Sequence, residues 1–137
     1  CTVVLSDRPI GSPISKAPHA LIALNLPSLD KFEDAVRPGG VIVFNTSLIT
    51  RRPRRTDVTV VAVPANEAAI ECGSPKAANM VALGAYVGMS GVVALDQVKA
   101  IVAESFAAKP KLVEINHAAL ARGVALGQSQ AAAPVAR

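Results

Sequence analysis

Four short apolar runs in the first half of the chain constrain its fold more strongly than any other feature. They are TVVLS (2–6), ALIALN (20–25), GVIVFN (40–45) and VTVVAV (58–63). None alternates apolar with polar residues, so each predicted strand should be covered on both faces, which is typical of parallel sheets. Because only 3% of the 137 residues are aromatic, Val, Ala, Leu and Ile must fill the core. The pattern predicts an α/β fold: a three-layer open sheet, mostly parallel, with helices on both faces.

Helical patterns lie between and after these runs. Apolar residues at 29, 32 and 36 follow Ser28, a candidate N-cap, and predict a helix there. Two longer repeats predict helices over about 95–106 and 112–124. Because the last residues offer little apolar surface to bury, we assign residues 1–125 to a single α/β domain and residues 126–137 to a flexible tail.

The segment GSPKAANMVALGAYVG (73–88) predicts a helix made of unusually small residues. One helical stripe contains Gly84 and Gly88, and each helical glycine costs about 0.8 to 1.0 kcal/mol relative to alanine. These two residues therefore predict a close approach by another backbone, inside the fold or across subunits. Asn79 lies in the same core helix, and its amide is expected to hydrogen-bond a backbone or partner group, since a buried unpaired amide costs about 1 to 3 kcal/mol.

One uncharged run, residues 77–95, approaches the length of a membrane-spanning helix. Two features oppose that interpretation. Gly91 is a helix stop inside the run, and no aromatic belt flanks it. We therefore expect a protein without a membrane partner, and free thiols make a cytoplasmic location the simplest interpretation.

The basic residues give a formal net charge of +4 and include a short cluster around Pro53. With one Tyr, three Phe and no recognisable motif, we expect no nucleic-acid partner. The cluster has two interpretations, a solvated loop or a site that captures a phosphate or an acidic partner through forked guanidinium donors. Its members are Arg51, Arg52, Arg54 and Arg55.

Two short segments are candidate ligand sites. Asn45, Thr46 and Ser47 follow a predicted strand, at the carboxyl edge where open α/β sheets bind ligands. Ser74 and Lys76 lie at a predicted helix start that could hold an anion, although capping alone explains the serine. These five residues are the candidate cofactor-binding residues.

Catalytic and metal sites are not predicted. His19 and His117 stand apart from acidic clusters, and Cys1 and Cys72 lack the spacing of a zinc or iron–sulfur site. The chain also has neither a G-x-S-x-G elbow nor a G-x-G-x-x-G dinucleotide fingerprint. We therefore assign no catalytic residue and no metal ligand.

Several motifs occur in a recognisable order. They are VVLSDRPIGSPISKAPHALIALN, PGGVIVFNTSLI, VAVPANEAAIECGSPKAANMVALGAYVG and INHAALARG. Together they resemble the gamma subunit of 2-oxoacid:ferredoxin oxidoreductases over about residues 2–123, and the block at 64–85 is the most specific part. The resemblance is closer to the 2-oxoglutarate or branched-chain 2-oxoacid branch than to the pyruvate branch.

The resemblance implies a non-catalytic subunit of an enzyme complex. Such complexes convert a 2-oxoacid to acyl-CoA and reduce ferredoxin, with thiamine diphosphate, Mg and iron–sulfur clusters held by alpha, beta and delta-type subunits. This chain is then expected to bind no cofactor alone, to provide docking surface and to help accommodate coenzyme A. The interface or structural residues are expected to be Asn79, Gly84, Gly88, Arg51 and Arg52.

The sequence departs from the family pattern at its start. The glycine-rich segment that normally precedes the strand matching residues 2–6 is absent, so we expect sequence of this domain in front of Cys1.

Two alternatives to a complex subunit stay open. One is a free-standing α/β module that binds a nucleotide or phosphate at the strand ends, and the other is a scaffold that forms homodimers through its small-residue helix.

Overall fold

A computed structural model describes residues 1–131 of the chain. Its centre is a three-stranded parallel sheet in the order β1 (Ala20–Ala23), β2 (Val41–Asn45) and β3 (Thr59–Val63). The three later apolar runs are therefore confirmed as strands, and their parallel arrangement is confirmed as well. In register, Val41 of β2 lies between Ala20 and Thr59, so all three strands begin level and their carboxyl ends share one edge.

The first apolar run was wrongly predicted to be a strand. Residues 2–6 have no regular secondary structure, and Val3 and Leu5 are 75% and 66% exposed. A strand needs a neighbour to pair with its backbone groups, and no strand of the described residues pairs with this segment. Apolar composition alone was insufficient to place it in the sheet.

Helices cover both faces of the sheet. They are α1 (Leu26–Phe32), α2 (Ala65–Glu71), α3 (Ala78–Ser90), α4 (Leu95–Ser105) and α5 (Pro110–Ala131), with 3-10 turns at Glu33–Ala35 and Pro75–Ala77. One buried cluster joins α1 to the face of the sheet that includes Ile42 and Phe44. A second cluster joins α2, α3 and α5 to the opposite face, which includes Val43 and Val61. The predicted three-layer α/β fold is confirmed.

The helix ends follow local capping chemistry. Asn25, not Ser28, is the N-cap of α1, because its side-chain oxygen accepts a hydrogen bond from the Ser28 amide at 3.0 Å. Ser74 caps the 3-10 turn before α3 by accepting from the Lys76 amide at 3.3 Å. Gly91 ends α3 with a φ of 62°, the left-handed conformation typical of a glycine helix stop.

The last helix extends into the segment that we assigned to a flexible tail. Residues 126–131 belong to α5, and Gly127 is buried. The Gln130 side chain accepts from the Ala62 amide at 2.8 Å and donates to the Ala62 carbonyl at 2.7 Å, so it pairs with β3 as a neighbouring strand would. The predicted boundary at 126 was therefore too early. Residues 132–137 of the predicted tail lie outside the described residues.

The small-residue stripe of α3 packs inside the fold against α5. A Cβ built on Gly84 would lie 3.0 Å from the carbonyl carbon of Leu120, and one on Gly123 would lie 2.9 Å from that of Val81. Gly88 and Gly127 meet the facing backbone in the same way. Gly84 and Gly88 thus have a structural role within one chain. Of the two placements predicted for this close approach, inside the fold or across subunits, the contact with α5 is the one inside the fold.

The uncharged run at 77–95 contains all of α3, the turn after it and the first residue of α4. Among residues 1–131, no helix combines the length and the apolar character needed to cross a bilayer.

Candidate functional site

Asn45 lies buried at the carboxyl edge of the sheet, where it connects all three strand ends. Its amide nitrogen donates to the Leu24 carbonyl at 3.3 Å and to the Asn66 side chain at 3.0 Å. Its amide oxygen accepts from the backbone amides of Ser47, at 3.2 Å, and Ala65, at 3.1 Å. An asparagine side chain has two donors and one acceptor oxygen with two lone pairs. The fold therefore uses all of its hydrogen-bonding capacity.

Ser47 caps the start of α2 instead of facing an open site. Its hydroxyl accepts from the Asn66 amide at 3.0 Å and donates to the Glu67 carboxylate, which holds the pKa of Glu67 below its ordinary value. The Thr46 amide donates to the Val63 carbonyl at 2.8 Å, and the Thr46 side chain is exposed. Within this predicted trio, Thr46 alone presents a side chain that is not engaged by described residues.

The arginine loop is attached through a buried carboxylate to the 3-10 turn that follows α1. Glu33 is 1% exposed and accepts from the Arg51 guanidinium at 2.6 Å and 3.3 Å and from the Arg54 amide at 2.9 Å. Burial raises the pKa of Glu33, but the hydrogen bonds and charges from these arginines outweigh it and leave that pKa lowered. Arg51 also donates to Asp30, and the two carboxylates raise its pKa.

Arg55 holds the other end of the same loop. Its guanidinium donates to three backbone carbonyls, those of Glu33 at 3.1 Å, Asp34 at 3.2 Å and Val36 at 2.8 Å. It also forms a two-pronged pair with Asp57, at 2.6 Å and 2.7 Å, which lowers the pKa of Asp57.

The solvated-loop interpretation does not describe Arg51 and Arg55, and capture of a phosphate or an acidic partner stays a prediction. Arg51 and Arg55 are structural and face their own chain, whereas Arg52 and Arg54 are exposed. The spacing of Asp30 and Glu33 at i and i+3 on the preceding helix is the sequence signal that could have identified the acceptors.

A cavity of about 210 Å³ lies beside the start of α3. Its polar lining consists of Ser74, Lys76, Asn79 and Asn116, and its apolar lining consists of Ala77, Met80, Phe106, Leu112 and Ile115. The five predicted binding residues therefore separate into two groups. The cavity includes Ser74 and Lys76 but not the sheet-edge residues Asn45, Thr46 and Ser47.

Asn79 lies in the first turn of α3, where it is exposed and not part of the core. Its side-chain oxygen accepts from the Met80 amide at 3.0 Å, so the expected hydrogen bond to a backbone group is confirmed. Its expected burial is wrong, because the residue is exposed. The first turn of a helix has unpaired amides that a short polar side chain can satisfy, and this accounts for Asn79 without a buried site.

Sequence reasoning missed Asn116 of α5. It is buried and lines the cavity together with Leu112 and Ile115 of the same helix. The signal was available, because Asn116 interrupts the apolar face formed by Leu112, Ile115 and Ala119. A polar residue at a core position of an amphipathic helix is more informative than a polar residue at a loop.

The two histidines do not share a site. His117 Nε2 lies 2.9 Å from the Lys99 carbonyl and connects α5 to α4, whereas His19 is exposed. Across residues 1–131, no three His, Cys, Asp or Glu side chains are grouped closely enough to hold a metal ion.

The fold and the cavity define a class of protein: a three-layer α/β domain with a glycine-packed helix pair and a small, mainly apolar cavity beside it. The chain belongs to the pyruvate ferredoxin/flavodoxin oxidoreductase family, whose profile matches residues 1–126.

Relatives within this family are considerably longer than the chain. Two ketoisovalerate oxidoreductase subunits VorA, from Methanothermobacter marburgensis and Methanothermobacter thermautotrophicus, are 35% and 37% identical over 118 residues, which cover 85% of this chain and 24% of each relative. The 2-oxoglutarate synthase subunit KorC of Methanocaldococcus jannaschii is 31% identical over 105 residues, covering 75% of this chain and 56% of KorC. The chain thus spans about a quarter to just over half of these relatives.

Solved structures share the fold. The gamma subunit of a keto/oxoacid ferredoxin oxidoreductase from Geobacter sulfurreducens PCA superposes with a TM-score of 0.70 at 28% identity, covering 81% of this chain and 64% of that one. A 2-oxoglutarate:ferredoxin oxidoreductase from Magnetococcus marinus gives a TM-score of 0.71 at 24% identity, covering 81% and 20%. The predicted resemblance to a gamma subunit is confirmed.

Proposed function

We propose that this chain is the non-catalytic gamma subunit of a 2-oxoacid:ferredoxin oxidoreductase complex. The complex would decarboxylate a 2-oxoacid oxidatively, form the acyl-CoA and pass the electrons to ferredoxin. The observation that carries the proposal is the likeness to a gamma subunit at a TM-score of 0.70 and 28% identity. The relatives are named for ketoisovalerate and 2-oxoglutarate, and we propose a substrate of one of these two kinds.

The partners in this proposal are alpha, beta and delta-type subunits, with ferredoxin as the electron acceptor. Thiamine diphosphate, Mg and the iron–sulfur clusters would be held by those subunits. The chemistry of this chain supports that division, because an iron–sulfur cluster requires several cysteine thiolates and the chain has two cysteines in all.

Coenzyme A is the cofactor that we propose this chain helps to accommodate. Lys76 is exposed beside the cavity and forms no ion pair with the described residues, so its ammonium is available to a phosphate. Ser74 and Lys76 lie in the turn just before α3, and the N-terminal end of that helix carries partial positive charge, which favours anions. The Magnetococcus enzyme was solved with coenzyme A and succinyl-CoA bound, which supports a search for such a site here.

Co-expression with the alpha, beta and delta-type subunits tests the proposal. We expect the chain to co-purify with them in a fixed ratio, and the assembled complex to form acyl-CoA and reduce ferredoxin when a 2-oxoacid is supplied. A preparation that lacks only this chain is the control, and it should assemble incompletely or lose activity. No association at micromolar concentration would contradict the proposal, and so would turnover of a 2-oxoacid by the isolated chain.

A further inference from the structure

A nearly buried amide without a partner lines the cavity. Asn116 is 8% exposed, and its side chain forms no hydrogen bond to any residue in the range 1–131. In that range, every fully inaccessible side-chain nitrogen or oxygen has a partner. The Asn116 amide is therefore slightly exposed to solvent. Because Asn116 lines the cavity, this exposure is toward the cavity.

This amide has no structural explanation of the kind that accounts for Asn45. Buried polar groups are almost always hydrogen-bonded, because an unpaired one is costly. The other α5 residues in the cavity, Leu112 and Ile115, are apolar, and a leucine of similar size at 116 would satisfy the packing alone. A group that enters the cavity and pairs with the amide would account for the asparagine.

The charge beside the cavity favours an anionic group. Lys76 contributes an exposed ammonium, and the Ser74 hydroxyl, which already accepts from the Lys76 amide, retains its O–H as a donor. Both residues precede the 13-residue helix α3, and Asn79 and Met80 of its first turn line the cavity, so the partially positive N-terminal end of α3 lies beside it. Phosphate or carboxylate oxygens are the acceptors that suit this set.

The interior of the cavity favours a different part of the ligand. Asn116 offers donors and an acceptor together, which is the complement of a secondary amide with its one N–H and one C=O. Met80, Phe106, Leu112 and Ile115 offer apolar surface for methylene groups. A ligand that combines an anion with an uncharged, amide-bearing chain would use both sets of groups.

The size of the cavity limits how much of the ligand it holds. Pockets for whole small molecules measure about 300–1,000 Å³, whereas this cavity measures about 210 Å³. It can accept one arm of a larger molecule, with the remainder outside the cavity.

We propose that Asn116 is a specificity-determining residue that recognises an amide of a phosphopantetheine-type arm in this cavity, while Lys76 holds the anion. This inference rests on the proposed function and deepens it. It names the part of the ligand that this chain recognises, the amide of the arm, and the residue that recognises it, Asn116. It predicts that the two polar residues act on different parts of one ligand.

Calorimetric titration of three probes into the full chain, alone and in the assembled complex, tests the inference. The probes are 4′-phosphopantetheine, pantetheine and inorganic phosphate. Asn116→Leu should weaken both amide-bearing probes at least tenfold and leave phosphate binding unchanged. Lys76→Met should weaken phosphopantetheine and phosphate and leave pantetheine unchanged. Gln128→Leu, the same loss of an amide at an exposed position of α5, is the matched control and should bind all three probes normally.

Several results would overturn the inference. They are a change of less than twofold for Asn116→Leu, an equal loss of all three probes, and no binding of phosphopantetheine to the wild type in either preparation. Asn116→Asp is the second variant, since it keeps the shape and removes the N–H donors. Binding equal to that of the wild type would exclude donation by Asn116. Failure of subunit assembly with normal probe binding would instead contradict the proposed function.

Discussion

The contact between α3 and α5 predicts that replacing a glycine of α3 with alanine lowers the free energy of unfolding. Intrinsic helix propensity alone predicts the opposite change. Gly84→Ala adds one methyl group in the middle of α3. The added Cβ would lie 3.0 Å from the carbonyl carbon and 3.1 Å from the Cα of Leu120, and closer still to the carbonyl oxygen. Carbon atoms pack comfortably at about 3.5–4.0 Å. The two helices must therefore separate, because the opposing atoms belong to a backbone that cannot rotate aside.

The net cost follows from two opposing contributions to the free energy of unfolding. An alanine in a helix is about 0.8 to 1.0 kcal/mol more favourable than a glycine. Overpacking a well-filled interface costs about 1–3 kcal/mol, and a rigid obstacle favours the upper end of that range. Gly84→Ala should therefore destabilise the chain by about 2 kcal/mol.

Urea unfolding followed by far-UV circular dichroism measures this difference. Ala125→Leu, which adds more atoms to an exposed position of α5, is the control and should change the free energy of unfolding by less than about 0.5 kcal/mol. If Gly84→Ala were instead more stable than the wild type by about 1 kcal/mol, helix propensity would be acting alone. The close backbone contact between α3 and α5 would then be refuted.

Three further predictions concern buried polar contacts. The lowered pKa of Glu33 means that its contribution to stability is present above its unfolded-state pKa, about 4.5, and is lost as the pH falls through the folded-state value. Glu33→Gln should remove this dependence below about pH 4.5 and cost about 1–3 kcal/mol in urea unfolding at pH 7, because Arg51 and the Arg54 amide lose a charged acceptor while Arg51 keeps Asp30. Asn45→Ala should lower stability by about 2–4 kcal/mol in the same assay, since the Ala65 amide and other buried groups lose their partner. Gln130→Ala should cost about 1 kcal/mol and speed hydrogen exchange at the Ala62 amide, whereas the exposed Gln128→Ala should do neither.

The sheet could be predicted from the sequence because continuous apolar runs report burial on both faces directly. Residues 20–25, 40–45 and 58–63 each supplied a strand. Residues 2–6 have the same composition and supplied none. Burial of a strand depends on a neighbour that pairs with it, and pairing is a property of the tertiary structure that a local pattern does not contain.

The candidate site was less predictable, because a polar side chain does not reveal its partner. Asn45 follows a strand, as ligand-binding residues often do, yet it is fully engaged with Leu24, Asn66, Ser47 and Ala65. The stripe containing Gly84 correctly predicted a close backbone contact. The partner helix could also have been inferred, since Gly123 and Gly127 repeat the same four-residue spacing in α5.

The distribution of engaged and free polar groups indicates which side of the chain is available to a ligand. At the sheet edge and in the arginine loop, the buried groups are paired within the chain: Asn45 has four hydrogen bonds, and Glu33 binds Arg51 and the Arg54 amide. These contacts stabilise the fold and leave the buried groups themselves unavailable for recognition. Beside α3, in contrast, Asn116 is buried without a described partner and Lys76 has no described ion pair. A binding function carried by this chain should therefore depend on the α3–α5 side, and substitutions there should change binding more than stability.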